Sequence, residues 1–139
     1  MSLLEANKQV VRDFFSALGS FDLDGILKTV AENIVLTVPG TACLSGTYTL
    51  ADLSGVAGLL GQACPDGITF TIKELTAEDN RVSCIVDGNG KLATGGNYTN
   101  SYHFLLKLRD GKIFETYEYM DTLKVESLFA PMLKAEKQE

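Results

Sequence analysis

The groups able to do chemistry are few. There is one histidine, His103, and there are three cysteines, Cys43, Cys64 and Cys84. One imidazole excludes a histidine-rich zinc site, and a Cys-Cys-Cys-His site would need all four residues to converge. A Ser-His-Asp triad would have to use His103, which lies in an apolar strand pattern and is expected to pack or hydrogen-bond there. The cysteine count is odd and no C-x-x-C occurs, so reduced, mostly buried thiols are expected. Among the carboxylates, Asp121 stands just before Thr122 and an apolar helical segment, where an aspartate caps a helix. Glu115 and Glu118 read as solvated strand charges.

Three motifs carry no chemistry in this setting. Gly88-x-Gly90-Lys91 is glycine-rich, but it joins two strands, so no helix N-terminus is there to hold a phosphate. Asp22-x-Asp24-Gly25 lacks the later ligands of a calcium loop. Asn97-Tyr98-Thr99 is a glycosylation sequon only in a secreted chain. No cofactor motif is left, and none is expected.

The elements around these residues read as one domain spanning 1–139. Hydrophobic residues make up 45% of the 139, charged residues 22%, and 18 acids against 12 bases give a net charge of −6. That balance argues against a nucleic-acid partner and against a basic membrane-surface patch. No apolar run approaches the ~20 residues of a membrane span. The N-terminus, with Glu5 and no long apolar segment, does not read as a signal peptide, so a cytoplasmic setting is expected.

Leu3 to Leu18 has helical periodicity through Val10, Val11, Phe14 and Leu18, ending at Gly19. Asp22 caps a second short helix. Asn33 to Val38 reads as a strand stopped by Pro39-Gly40. Thr49 and Asp52 open a third helix reaching about Ala63. Its glycines, Gly55, Gly58 and Gly61, suggest a close neighbour. Strands follow at Ile68–Ala77 and Val82–Val86, then a turn at Asp87-Gly88-Asn89-Gly90. Thr94-Gly95-Gly96-Asn97 is a second loop. Tyr98–Arg109 and Lys112–Asp121 are long strands joined at Asp110-Gly111. Thr122 to about Leu133 is a last helix, and 135–139 a frayed polar tail. Helices first and strands after is an α+β order, with a curved antiparallel sheet wrapped around the N-terminal helices as a cone whose open end is a pocket.

The run from Phe14-Phe15 to Asp22-Leu-Asp24-Gly25-Ile26 resembles the helix hairpin of the nuclear-transport-factor-2-like superfamily. Asp110-Gly111-Lys112-Ile113, followed by Glu118-Tyr119-Met120-Asp121-Thr122, resembles the final hairpin of its SnoaL-like branch. The resemblance covers essentially the whole chain. It implies the cone fold, and it leaves function open, because this fold hosts isomerases, cyclases, epoxide hydrolases, dehydratases and non-enzymatic binders.

Two branches fit poorly. The steroid isomerases use a first-helix tyrosine, a carboxylate base on the first strand and a late-strand protonated aspartate. An ungapped alignment puts Phe14, Val38 and about Tyr102 at those positions. The epoxide hydrolases pair an arginine with two aspartates, a tyrosine and an asparagine. Here Asp121 matches the last carboxylate, but Ile85 stands where the arginine would precede Asp87, and Val35 and Thr37 replace the tyrosine and asparagine.

The SnoaL-like cyclases are the best match. They use one carboxylate at the end of the last strand as general acid and base in an apolar pocket, and Asp121 matches it. Apolar surroundings raise a carboxylate's pKa toward neutrality and make it a better base. The resemblance then implies a cofactor-free isomerase or cyclase of a small apolar ring compound. Asp121 would be its catalytic group, Tyr102 and Asn100 its polar handles, and Phe14, Val38, Phe104 and Met120 its apolar wall. The alternative is a non-catalytic ligand-binding or interaction domain. The sequence leaves open which parity of the last strand faces in: on a regular strand the alignment to the isomerases implies Met120 inward and Asp121 outward, and a bulge would swap them. A homodimer is expected through the sheet face carrying Ser101, His103 and Leu105.

Overall fold

The computed structural model describes residues 1–137. Helix α1 spans Leu3–Gly19, with the Ser2 side chain accepting from the Glu5 amide. Helix α2 spans Leu23–Leu27, and the Asp22 carboxylate accepts from the Gly25 amide at 3.0 Å. Strands β1, Val30–Val38, and β2, Gly46–Thr49, precede a 3₁₀ turn at Leu50–Asp52 and helix α3 at Leu53–Ala63. The expected capping box forms, with the Thr49 amide donating to the Asp52 carboxylate at 2.7 Å. Strands β3, Thr69–Glu78, β4, Arg81–Lys91, β5, Asn97–Arg109, and β6, Lys112–Met120, lead to helix α4, Thr122–Lys137.

The six strands form one sheet in the order β2-β1-β6-β5-β4-β3. Every neighbouring pair is antiparallel except β1 and β6, which run parallel. Register shifts in β1–β6, β3–β4 and β5–β6 mark bulges, which bend a sheet. The main core lies between α1 and the inner sheet face, where Val11, Phe14 and Phe15 meet Val86, Phe104 and Leu106. The Phe15 ring meets Phe104 edge-on at 4.9 Å. A second cluster gathers Cys64, Ile68 and Tyr98 under Val125 and Phe129 of α4.

Four local expectations are corrected. The Asp87–Gly90 run is not a turn, since β4 continues through it to Lys91. A Cβ on Gly90 would sit 2.8 Å from the Cys64 sulfur, and one on Gly88 would sit 3.0 Å from the Tyr102 ring. These glycines sit inside a strand because the chain end of α3 and an aromatic ring press against it. The reversal falls instead at Leu92–Gly96, where Leu92 N–H donates to the Gly96 carbonyl at 3.0 Å. The glycines of α3 have no close neighbour: a Cβ on Gly55, Gly58 or Gly61 would meet nothing within 4 Å. The helix packs through its leucines instead, Leu53 on the main core and Leu59 and Leu60 on the second cluster. Strand β2 was not anticipated. Finally, 135–137 belong to α4 rather than to a frayed tail, while 138 and 139 lie outside the described residues. The Asp110-Gly111 hairpin is as expected, with φ of +51° and +75°, the positive pair of a type I′ turn.

Candidate functional site

Between α1, α3 and the inner face of the sheet lies a cavity of about 130 Å³. Apolar cavities of roughly 150 Å³ take up a benzene-sized molecule. Phe14 and Leu18 of α1 and Leu53, Val56 and Leu60 of α3 line it on the helical side. On the sheet side stand Leu36 and Val38 of β1, Phe70 of β3, Tyr102 and Phe104 of β5, and Thr116, Glu118 and Met120 of β6. The period of two explains the strand contributions, because alternate residues share a face. Cross-strand register then sets Tyr102 beside Met120 and Phe104 beside Glu118.

Glu118 is the carboxylate in this wall, and sequence reasoning missed it. Its side chain is partly buried. It forms no side-chain hydrogen bond or ion pair among the described residues. Burial alone pushes its pKa up to about 7, as expected for an acid whose charged form has lost water and gained no partner. The missed signal was parity: Glu118 lies two residues before Met120, which the isomerase alignment had already turned inward. Glu115, by contrast, is the expected strand charge, paired with Lys107 at 3.6 Å.

Asp121, the expected catalytic group, lies outside the cavity. It is exposed, and its carboxylate accepts from the Leu123 amide at 3.1 Å. That bond occupies one oxygen in capping α4, the role the neighbouring residues suggested. The β5–β6 bulge falls between Lys107 and Leu108, too far back to swap the parity at the strand end. Met120 is therefore inward and Asp121 outward.

Asn100 is buried, but it holds backbone instead of lining the cavity. Its Oδ1 accepts from the Ser101 amide at 2.8 Å and the Asp121 amide at 3.0 Å. Its Nδ2 donates to the Asp121 carbonyl at 3.2 Å and the Tyr98 hydroxyl at 2.8 Å. The Tyr98 hydroxyl is in turn 3.0 Å from that of Tyr102. Burial raises the pKa of both phenols, so both stay protonated near neutrality. Tyr48, also in the cavity wall, donates its hydroxyl proton to the Leu44 carbonyl at 2.6 Å.

Phe14, Val38, Tyr102, Phe104 and Met120 thus line one cavity, while Asn100 and Asp121 do not join them. The three isomerase positions do meet in the cavity, but they bring two hydrocarbon side chains and a phenol. Asp87 faces the other side of the sheet, near Lys73 at 3.7 Å. His103 is also on that outer face, its Nε2 2.7 Å from the Ser83 hydroxyl. Cys64 and Cys84 are buried in separate clusters and Cys43 is partly exposed. Burial pushes the Cys84 thiol up to about 12, which makes it a poor nucleophile.

No helix among the described residues is long and apolar enough to cross a membrane. No curated protein matches the chain. Solved structures do. An NTF2-like protein from Burkholderia xenovorans is 26% identical, with a TM-score of 0.71, covering 90% of this chain and 96% of that one. IdmH from Streptomyces antibioticus, a candidate polyketide cyclase, is 19% identical with a TM-score of 0.75 over 89% and 98% of the two chains. AclR from Streptomyces galilaeus, a candidate hydroxylase, is 20% identical with a TM-score of 0.74 over 88% and 83%. The model of the SnoaL-like domain matches residues 11–116. An α+β cone with an apolar cavity, carried by a chain that matches this model over most of its length, belongs to the SnoaL-like domain family of NTF2-like proteins.

Proposed function

We propose that the cavity binds a small, largely apolar ring ketone and that Glu118 moves a proton on it without a cofactor. The observation that carries this reading is one carboxylate in a largely apolar wall, without a hydrogen bond or ion pair among the described residues, its pKa pushed up by burial to about 7. A base with that pKa is well matched to neutral pH. In the step, the Glu118 carboxylate takes a proton from the carbon next to the carbonyl. The C–H electron pair forms the enolate double bond and charge moves to oxygen. Return of the proton to another carbon completes an isomerisation. Alternatively, the enolate carbon attacks a second carbonyl of the same molecule, the ring C–C bond forms as that carbonyl's π pair moves to its oxygen, and the Glu118 proton passes to the resulting alkoxide to complete a cyclisation. Neither route needs an oxidant or a second reactant. The structural likeness to a candidate polyketide cyclase is in keeping with a carbonyl substrate, and the cavity volume favours a single ring.

Acetophenone, a one-ring ketone with an acidic methyl, is a direct probe. Deuterium uptake into that methyl, followed by proton NMR, is expected to be accelerated by the protein. Glu118→Gln is expected to lower the acceleration by about 10²–10⁴-fold, and Asp121→Asn to leave it unchanged. Equal rates with wild type and Glu118→Gln would remove the catalytic reading and leave a ligand-binding domain.

The chain works as a cytoplasmic homodimer in this reading. Across the outer face of β4, β5 and β6, Ile85, His103 and Tyr119 stand side by side, with Ile85 39% and Tyr119 53% exposed. An apolar and aromatic row on an exposed sheet face suits a second copy. Sedimentation is expected to give twice the chain mass for wild type and a monomer for Ile85→Glu, whereas a monomeric wild type would exclude the dimer.

A further inference from the structure

The hydrogen bonds around Asn100 have a direction, and that direction reaches the cavity. The orientation of the Asn100 amide is fixed by backbone. Two amide N–H groups, of Ser101 and Asp121, point at one end of it, so that end is the oxygen. The Asp121 carbonyl faces the other end, so that end is the nitrogen. Both protons of the nitrogen are then used, one on the Asp121 carbonyl and one on the Tyr98 hydroxyl. All four hydrogen-bonding positions of the side chain are filled, and a flip would break each of them.

Tyr98 consequently accepts from Asn100. It is only 6% exposed, and its hydroxyl has one further neighbour within hydrogen-bond distance among the described residues, the Tyr102 hydroxyl at 3.0 Å. Tyr102 is nearly as buried, at 7%, but it lines the cavity, where a bound group can accept its proton. A buried Tyr98 O–H has no such outlet and is costly without an acceptor, so the Tyr98 proton goes to the Tyr102 oxygen. The Tyr102 oxygen then accepts, and its own proton has no acceptor among the described residues. Tyr102 lines the cavity and Tyr98 does not.

We infer that Asn100 and Tyr98 are positioning residues that turn the Tyr102 O–H into the hydrogen-bond donor of the cavity, so that the group bound there is an oxygen acceptor. This rests on the proposed function and sharpens it. Tyr102 and Glu118 sit on one face a single diagonal step apart, a backbone separation of roughly 7–8 Å. A donor and a base so placed span one carbonyl, with its oxygen at Tyr102 and its acidic carbon at Glu118. A ligand offering only donors has no partner at Tyr102.

Neutron diffraction from deuterium-exchanged crystals reads the direction without any ligand. The expected map has the Tyr98 deuteron on the line to the Tyr102 oxygen and the Tyr102 deuteron turned to the cavity. A Tyr102 deuteron on the line to Tyr98 overturns the inference. The second measurement is the infrared carbonyl stretch of bound acetophenone. It is expected to fall on binding to wild type and to return to its unbonded position in Tyr102→Phe, with affinity about three- to tenfold weaker.

Asn100→Asp separates positioning from packing. A carboxylate at 100 accepts from Tyr98, Tyr98 then accepts from Tyr102, and the cavity loses its donor although residue 100 never touches the ketone. The stretch is expected to return to the unbonded position there too. A stretch kept low in Asn100→Asp while the ketone still binds overturns the relay. If the ketone fails to bind wild type, the reading of the cavity has failed, and the neutron positions alone decide the relay.

Discussion

The inner and outer faces of β5 and β6 hold similar polar groups in opposite circumstances. On the outer face each has a partner: His103 meets Ser83 at 2.7 Å and Glu115 meets Lys107 at 3.6 Å. On the inner face Glu118 has none among the described residues, and burial carries its pKa to about 7. The contrast is sharpest between Glu118 and Asp121, three positions apart in the chain. One carboxylate is in the cavity wall, among mostly apolar residues, with no hydrogen bond or ion pair among the described residues. The other is in solvent, tied to the Leu123 amide as a helix cap. Residue type is nearly constant across this comparison. Parity on the strand decides which acid is available for chemistry.

The comparison breaks most visibly in the exchange reaction, where Glu118→Gln is expected to cost orders of magnitude and Asp121→Asn nothing. In stability, adjacent residues of β5 should differ as sharply. Phe104, 3% exposed between Phe15 and Tyr102, is expected to cost about 3–5 kcal/mol when changed to alanine. Outward-facing His103→Ala should stay within about 1 kcal/mol. Urea unfolding measures both.

The pH dependence of folding gives the next effect. Between pH 4.5 and about 7 the folded chain keeps a proton on Glu118 that the unfolded chain has released. Stability therefore falls as pH rises through that window, by up to about 3 kcal/mol. Glu118→Gln lacks this slope and is expected to be the more stable protein above pH 7, the reverse of its effect on activity. Smaller still is Gly90→Ala, whose methyl would meet the Cys64 sulfur at 2.8 Å and should cost about 1–3 kcal/mol. Gly55→Ala, facing open space, should instead gain up to about 1 kcal/mol in α3.

Much of the scaffold was legible in the residues. The 3.6 period of Val11, Phe14 and Leu18 gives α1, Asp22 and the Thr49–Asp52 pair mark helix starts, and Asp110-Gly111 marks the hairpin. These signals are local, so no neighbour needs to be known to read them. The misreadings all depend on what lies across from the residue. Gly88 and Gly90 look like a turn until Cys64 and Tyr102 are seen against them. Strand β2 is four residues paired only with β1, too short for its own period to show. Of the cavity wall, Phe14, Val38, Tyr102 and Met120 are legible through the resemblance, and Phe104 through its parity with Tyr102. Glu118 was passed over because a charged residue in a strand is usually solvated, although its parity with Thr116 and Met120 pointed inward.

Glu118, without a partner among the described residues in a largely apolar wall, has its pKa pushed up to about 7. A carbon-13 NMR titration of side-chain-carboxyl-labelled glutamates tests it directly, with Glu118→Gln identifying the resonance. One glutamate is expected to titrate near pH 7 in wild type, its resonance absent from the variant. A Glu118 midpoint near the ordinary 4.5 would mean that the carboxylate is solvated or paired, and would contradict it.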